Sequence, residues 1–211
     1  NHLANSDVEI LSVFDGSYDY DLWKEFSKVL HNEGNLDVYC ALVNYQGASL
    51  SKGKVKWRFI ENHDQPRSMN VLKRKKLERL WLSYIMLLPG MAFVYAGQES
   101  YQLLETPLFE KEVINRHFDE QLCEMITRLN QLRKELYKDG VLSYRLSNSD
   151  NVLSLVVYTP TKEIELLLNI DLESKEVDVI NGIALNLRDG SKSSVKNGKI
   201  ELNNNPILMI R

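Results

Sequence analysis

The stretch Phe59-Ile60-Glu61-Asn62-His63-Asp64-Gln65-Pro66-Arg67-Ser68 decides how this chain is read. It is approached by Val55 and Trp57, apolar residues of strand-forming type. The apolar run then gives way to acid, amide, imidazole and guanidinium groups crowded between Glu61 and Arg67. Pro66 forbids continuation of a strand, because proline has no N–H for the ladder. A buried strand that ends in such a cluster delivers chemistry at its carboxyl end. That is the arrangement of α/β folds with parallel sheets.

Outward from that stretch, the first 140 residues alternate between strand and helix patterns. Residues 10–14 predict a short buried strand, followed by a turn at Asp15-Gly16-Ser17. Asp19 or Asp21 is placed to cap a helix that uses Leu22, Trp23, Phe26, Val29 and Leu30 and stops at Gly34. Residues 36–46 read as a second helix and 54–61 as a strand. Leu77, Leu80, Trp81, Tyr84, Ile85 and Leu88 recur at spacings of three and four, so a helix is predicted from about Leu72 to Leu88, ended by Pro89-Gly90. A short apolar strand, Ala92 to Tyr95, leads to Gly97-Gln98-Glu99 and a long loop. Phe118, Leu122, Met125, Ile126, Leu129, Leu132 and Leu136 mark one more amphipathic helix, closed by Asp139-Gly140.

Beyond Gly140 the period becomes that of strands. Residues 152–158, 164–170, 177–180, 199–202 and 206–210 are candidates, with turn signals at Asn181-Gly182, Asp189-Gly190 and Asn197-Gly198. The expected architecture is therefore α/β up to residue 140, then a small antiparallel β-sandwich over 141–211. The first part holds only about three strands, too few to close a barrel of eight.

Bulk properties narrow the function. The chain has 211 residues, 44% of them hydrophobic, and a formal net charge of -3. That balance argues against nucleic acid as the main partner, and Lys73-Arg74-Lys75-Lys76 reads as a solvated helix face. The apolar run Trp81–Leu88 is too short to cross a bilayer, so no membrane partner is expected. Cys40 and Cys123 lie far apart, with neither disulfide nor metal spacing, and His2, His31 and His117 show no ligand spacing either. A reduced, cytoplasmic setting is expected, with no cofactor and no metal. No secretory leader is visible in these residues, and because they open on Asn1 rather than Met, a segment upstream of Asn1 could carry one.

The motifs together resemble the α-amylase family of glycoside hydrolases. Phe59–Ser68, centred on Asn62-His63-Asp64, resembles the family's strand-seven motif. Leu88-Pro89-Gly90-Met91-Ala92-Phe93-Val94-Tyr95-Ala96-Gly97-Gln98-Glu99 resembles its strand-eight motif. Phe14-Asp15 and Tyr18-Asp19-Tyr20-Asp21 resemble the segment around strand six, and Pro107-Leu108-Phe109 the loop before the last barrel helix. The order is the family's, and the resemblance covers the whole chain. It implies a partial (β/α)8 barrel, about strands six to eight, over residues 1–140, followed by the terminal sandwich.

The implied reaction is retaining hydrolysis or transfer at an α-glucosidic bond, on an α-glucan or maltooligosaccharide. Such chemistry uses a nucleophilic carboxylate and a carboxylic acid roughly 5–5.5 Å apart around an oxocarbenium-like transition state. By resemblance, Asp64 is a third, catalytic carboxylate that holds sugar hydroxyls and stabilises the distorted ring. His63, Asn62 and Arg67 are substrate-binding residues. The family's nucleophile, in a Gly-x-Arg-x-Asp pattern on strand four, has no counterpart among the 211 residues. Its acid, a Glu on strand five, belongs to the same upstream region. The chain alone is therefore expected to be inactive, and the missing half of the barrel or a second copy is an expected partner for its open strand edges.

Each residue also has a plainer reading. Asp64 alone could be a turn or cap residue, His63 a satisfied loop histidine, and Arg67 one half of a structural ion pair. Glu61 is expected to point away from Asn62, Glu99 to fix backbone, and Tyr95 to pack in the barrel. Asp15, Tyr18 and Asp19 read as turn and capping residues. Ala96, Ser100-Tyr101 and Arg116 depart from the family pattern. The alternative function is a non-catalytic interaction or accessory protein with an amylase-like fold. A carbohydrate-binding module in 141–211 is thinly supported by Tyr144 and Tyr158.

Overall fold

The structure is a computed structural model that describes residues 6–111 and 117–211. Arg116 and His2 lie outside the described residues. Helix α1 (Ser6–Val13) leads into strand β1 (Gly16–Tyr18), α2 (Tyr20–Leu30), α3 (Leu36–Ser49) and β2 (Val55–Arg58). Then come α4 (Ser68–Leu72), α5 (Lys75–Leu87), β3 (Met91–Ala92), a 3-10 turn (Gln98–Ser100) and α6 (Glu120–Leu136). Strands β1, β2 and β3 form a parallel sheet in that order, with Gly16 opposite Val55 and Trp57 opposite Met91. This is the partial α/β unit that the sequence pattern anticipates.

Boundaries differ where partners rather than pattern decide. Residues 10–13 end a helix instead of forming a strand. The first strand starts at Gly16, inside the expected turn. A five-residue apolar run fits either state, and the parallel pairing with β2 settles which segment is extended. The expected helix from Leu72 is broken: Lys73 is left-handed at φ +57°, ending α4 before α5 begins. Strand β3 pairs only through Met91 and Ala92, although the apolar run continues to Tyr95.

Local chemistry fixes the helix starts that matter. Asn35 caps α3 by accepting from the N–H groups of Asp37 (2.8 Å) and Val38 (3.1 Å). Asp119 caps α6 through the Leu122 N–H at 3.0 Å. Asp19, by contrast, occupies the N-cap position of α2 without making a cap bond. Its carboxylate is spent on Arg58 and Gln46, so the expected capping role gives way to a buried ion pair.

After residue 140 come β4 (Ser143–Ser149), β5 (Val152–Tyr158), β6 (Glu163–Asn169), β7 (Lys175–Asp178), β8 (Ile183–Asn186), β9 (Lys199–Leu202) and β10 (Ile207–Ile210). Five of them form an antiparallel sheet, β4-β5-β6-β10-β8, while β7 and β9 make a separate two-stranded ribbon. Val152, Leu167, Ile207 and Met209 of the sheet share a small core with Ile200 and Leu202 of the ribbon. Strands β4 and β8 escaped the sequence reading. β4 is largely polar, and β8 is only four residues long.

The core does not divide at residue 140. Leu146, Leu155, Leu166, Leu168 and Leu208 of the sheet join one cluster with Trp81, Tyr84, Leu129 and Met125 of the helices. From Leu80 to Leu87 helix α5 is buried on every side, which is why that part is apolar on nearly every face. Helix α3 also covers the free edge of β4. The Asn44 amide donates to the Leu146 carbonyl (2.8 Å) and accepts from its N–H (2.7 Å), imitating a neighbouring strand.

Candidate active site

The three loops that leave the carboxyl ends of β1, β2 and β3 meet in one place. The loop after β2 carries Asn62, His63 and Asp64. The Asn62 side chain accepts from the Asp64 N–H at 2.9 Å, a local Asx turn that presents Asp64 outward. The Asn62 amide donates to the Tyr20 hydroxyl (3.0 Å), and that hydroxyl donates to Asp64 Oδ2 (3.2 Å). His63 Nε2 lies 3.4 Å from the same carboxylate oxygen. Trp23 Nε1 donates to Gln65 Oε1 at 2.8 Å and pins the far side of the loop to α2.

Exposure separates these residues into two groups. The side chains of His63 and Asp64 are 42% and 50% exposed, whereas Asn62 and Arg67 are each 1% exposed. All four line an open cleft of about 700 Å³ together with Tyr95, Glu105, Thr106 and Leu108. Only His63 and Asp64 of the expected residues offer side chains to it freely.

Arg67 is engaged from every nitrogen. Nε donates to the Leu104 carbonyl (3.1 Å), one terminal nitrogen to Glu61 Oε1 (2.7 Å) and the Ala96 carbonyl (2.9 Å), and the other to Thr106 Oγ1 (3.1 Å). Its guanidinium also lies 4.4 Å from the centroid of the Tyr95 ring. Arg67 thus ties the loop after β3 to the loop after β2. Glu61 does turn away from Asn62, into this buried pair, and its other oxygen takes the Ser68 N–H at 2.7 Å. Glu99 fixes backbone as anticipated, accepting from the Gly97 N–H at 2.9 Å.

Sequence reasoning missed two kinds of participant. Tyr20 has no role that its residue type or motif announces, yet it bridges Asn62 and Asp64. Glu78 and Gln98 form a buried layer beneath the loops: Gln98 Nε2 donates to Glu78 Oε1 at 3.0 Å. The signal for Glu78 was available, because it shares a helix face with Trp81 and Ile85, where an acid is out of place. Among the described residues no group of three or more His, Cys, Asp or Glu is placed to hold a metal ion, and no helix is long and apolar enough to cross a membrane.

Comparison with known proteins gives the family of the chain and the likeness of its fold. The catalytic-domain description of the α-amylase family matches residues 23–139, which includes Asn62, His63, Asp64 and the loop after β3. The chain belongs to the α-amylase family. A curated relative, α-amylase 1 of Schwanniomyces occidentalis, is 27% identical over 143 residues, spanning 64% of this chain and 27% of the relative. Among solved structures, an α-amylase from Lactobacillus plantarum is similar in fold at a TM-score of 0.89 and 22% identity, covering 98% of this chain and 50% of that one. A maltogenic α-amylase from Thermotoga neapolitana aligns at 0.80 and 24% identity over 97% of this chain and 52% of that one. This α-amylase family chain therefore spans about half the length of the solved relatives. Their catalytic folds are barrels, and β1 to β3 are a part of such a barrel.

Proposed function

We propose that this chain supplies one corner of the active site of a retaining α-glucan-active glycosidase or transglycosylase. In this reading Asp64 is the carboxylate that grips sugar hydroxyls and stabilises the oxocarbenium-like transition state. His63 hydrogen-bonds a neighbouring hydroxyl. Asn62 and Tyr20 set the orientation of Asp64, and Arg67 serves by positioning the loops instead of touching sugar. The observation that carries the reading is the Tyr20–Asn62–Asp64–His63 cluster, held at the carboxyl ends of parallel strands with its two exposed members facing the cleft.

Asp64 acts through differential binding. A carboxylate fixed by Tyr20 and the Asx turn needs no reorganisation as charge develops on the sugar. Contacts that strengthen as the ring flattens raise the rate, while equal ground-state binding does not. The nucleophile and the acid would come from the missing N-terminal half of the barrel, which also pairs with the free edges of β1 and β3. A second copy of the chain is the weaker occupant, because it brings no Gly-x-Arg-x-Asp pattern.

The test is a maltooligosaccharide assay with the 211-residue chain, and with the same chain joined to an upstream segment carrying the two carboxylates. The chain alone is expected to turn over nothing. The joined protein is expected to release product with retained configuration, and Asp64→Asn is expected to lower kcat by about 10²-fold or more, on the scale of losing a preorganised transition-state contact. Turnover by the pure chain would sink the divided site. An inactive joined protein would favour the accessory-protein alternative.

A further inference from the structure

Ser68 is caught between two acids. Its Oγ lies 2.7 Å from Glu61 Oε2 and 2.7 Å from Glu78 Oε1, and all three residues are buried. A serine hydroxyl has one proton to donate. It cannot satisfy two carboxylate oxygens at that distance, so one of the acids must itself carry a proton and donate it to Ser68. Glu61 is the ionised one: Arg67 sits 2.7 Å from its Oε1 and the Ser68 N–H points at its Oε2. Glu78 has no such cation. Its Oε2 has no hydrogen-bond partner and its Oε1 also accepts from Gln98 Nε2 at 3.0 Å.

We infer that Glu78 is held as a neutral carboxylic acid and is a positioning residue that ties the His63–Asp64 loop to the Gly97–Ser100 turn. The proton sits on Glu78 Oε1 and points at Ser68 Oγ. The Ser68 hydroxyl proton then points at Glu61 Oε2, and Glu61 faces Arg67. The chain of bonds runs Gln98 to Glu78 to Ser68 to Glu61 to Arg67, and Arg67 grips Ala96, Leu104 and Thr106. Only an O–H at the Oε1 position can donate to Ser68 and accept from Gln98 at once. A carboxylate cannot donate there, and an amide nitrogen cannot accept.

The surroundings agree. Burial pushes the Glu78 carboxyl up to about 7 and the charge of Glu61 adds to the rise, against the hydrogen bond from Gln98, which favours the carboxylate. The charged or titratable groups on the packed elements are Glu61 and Arg67 after β2, Lys75, Lys76, Arg79 and Tyr84 on its own helix, Glu99 in the 3-10 turn and Tyr101 after it. Arg79 is turned to the Tyr101 hydroxyl at 3.2 Å. Lys75 and Asp119 pair with each other at 3.1 Å at the start of α6. None of these interactions supplies Glu78 with a cation.

The inference goes beyond the glycosidase reading, and its test uses no sugar, so either can fail without the other. The first measurement is a carbon-13 NMR titration of the Glu78 carboxyl in the 211-residue chain. A midpoint near 7, with the amide signals of Ser68 and Gln98 moving at the same midpoint, is expected. A midpoint at or below the ordinary 4.5 would overturn the inference, as would loop signals that do not follow Glu78.

The second measurement compares unfolding of wild type and Glu78→Gln across pH. A carboxyl raised in the folded state binds one more proton there than when unfolded between about 4.5 and about 7. Stability therefore falls as pH rises through that window, by about tenfold in the folding constant per pH unit, and is level outside it. Relative to Glu78→Gln, wild type is expected to lose that slope's worth of advantage, whichever protein is more stable at pH 5. A difference that stays flat from pH 5 to 7 would overturn the inference. If the variant does not fold, the wild-type titration decides alone.

Discussion

Strand β2 has two faces that are treated in opposite ways. Val55 and Trp57 point to the face where Tyr18 and Phe93 pack edge to face, and all four are only half-buried. Lys56 and Arg58 point to the other face and are 1% and 2% exposed. Hydropathy alone would assign the faces the other way round. The buried charges persist because each has partners. Lys56 Nζ sits 2.7 Å from Asp21 and 3.1 Å from Ser17 Oγ. Arg58 donates to Asp19, to Gln46 Oε1 (2.5 Å), to the Pro89 carbonyl (3.1 Å) and to the Tyr144 hydroxyl (3.3 Å). The lesson is that satisfaction, not polarity, decides what a packed layer accepts. The aromatic face is the one that the rest of a barrel would cover.

The sharpest way to break this contrast is Arg58→Ala. It strands Asp19 in the core and is expected to cost about 3–5 kcal/mol, read by denaturant unfolding. Trp57→Ala on the open face is expected to cost clearly less in the same assay. Equal losses would mean that the two faces are energetically alike. Gly90→Ala comes next. Gly90 has φ +136°, and an added Cβ would lie 2.5 Å from the Lys56 carbonyl oxygen and 2.9 Å from Arg58 Nε, so the backbone must shift. A loss of roughly 2–3 kcal/mol is expected from strain of this kind.

Smaller effects test how the two halves are joined. Gly47→Ala places a Cβ 2.6 Å from Tyr144 Cζ and is expected to cost about 1–3 kcal/mol by overpacking. A neutral result would show that Tyr144 can swing away from Arg58. Asp119→Ala removes the α6 cap and is expected to cost about 1 kcal/mol. Asp64→Asn is expected to stay within about 0.5 kcal/mol, because its half-exposed carboxylate holds little structure together. A large loss there would mark Asp64 as a structural residue.

How much of this was legible without coordinates varies by element. The helices Lys75–Leu87 and Glu120–Leu136 show in the spacing of their apolar residues, since a helix closes its own hydrogen bonds and the period is local. The first short strand did not show, because Gly16 and Ser17 read as a turn, and the third showed only in part, the strand expected over Ala92–Tyr95 pairing at Met91 and Ala92 alone. Gly16–Tyr18 and Met91–Ala92 are extended because Val55–Arg58 lies between them, and pairing over tens of residues leaves no local trace. At the site, the polar cluster from Glu61 to Arg67 was visible as composition and order. Which members face the cleft was not, because Arg67 and Asn62 are distinguished from His63 and Asp64 only by the partners that fold back onto them.

By itself the sequence determined the family, the α/β-then-β organisation and the polar cluster proposed as the site, all of which follow from residue type and order along the chain. Only the tertiary structure decided that Lys56 and Arg58 belong inside, that the core runs unbroken past residue 140, and that Tyr20 bonds to Asp64 while Gln98 bonds to Glu78 beneath the loops. The physical reason is common to all three. Burial of an apolar side chain, a charge or a proton depends on partners brought from distant parts of the chain, and those meet only when it is folded.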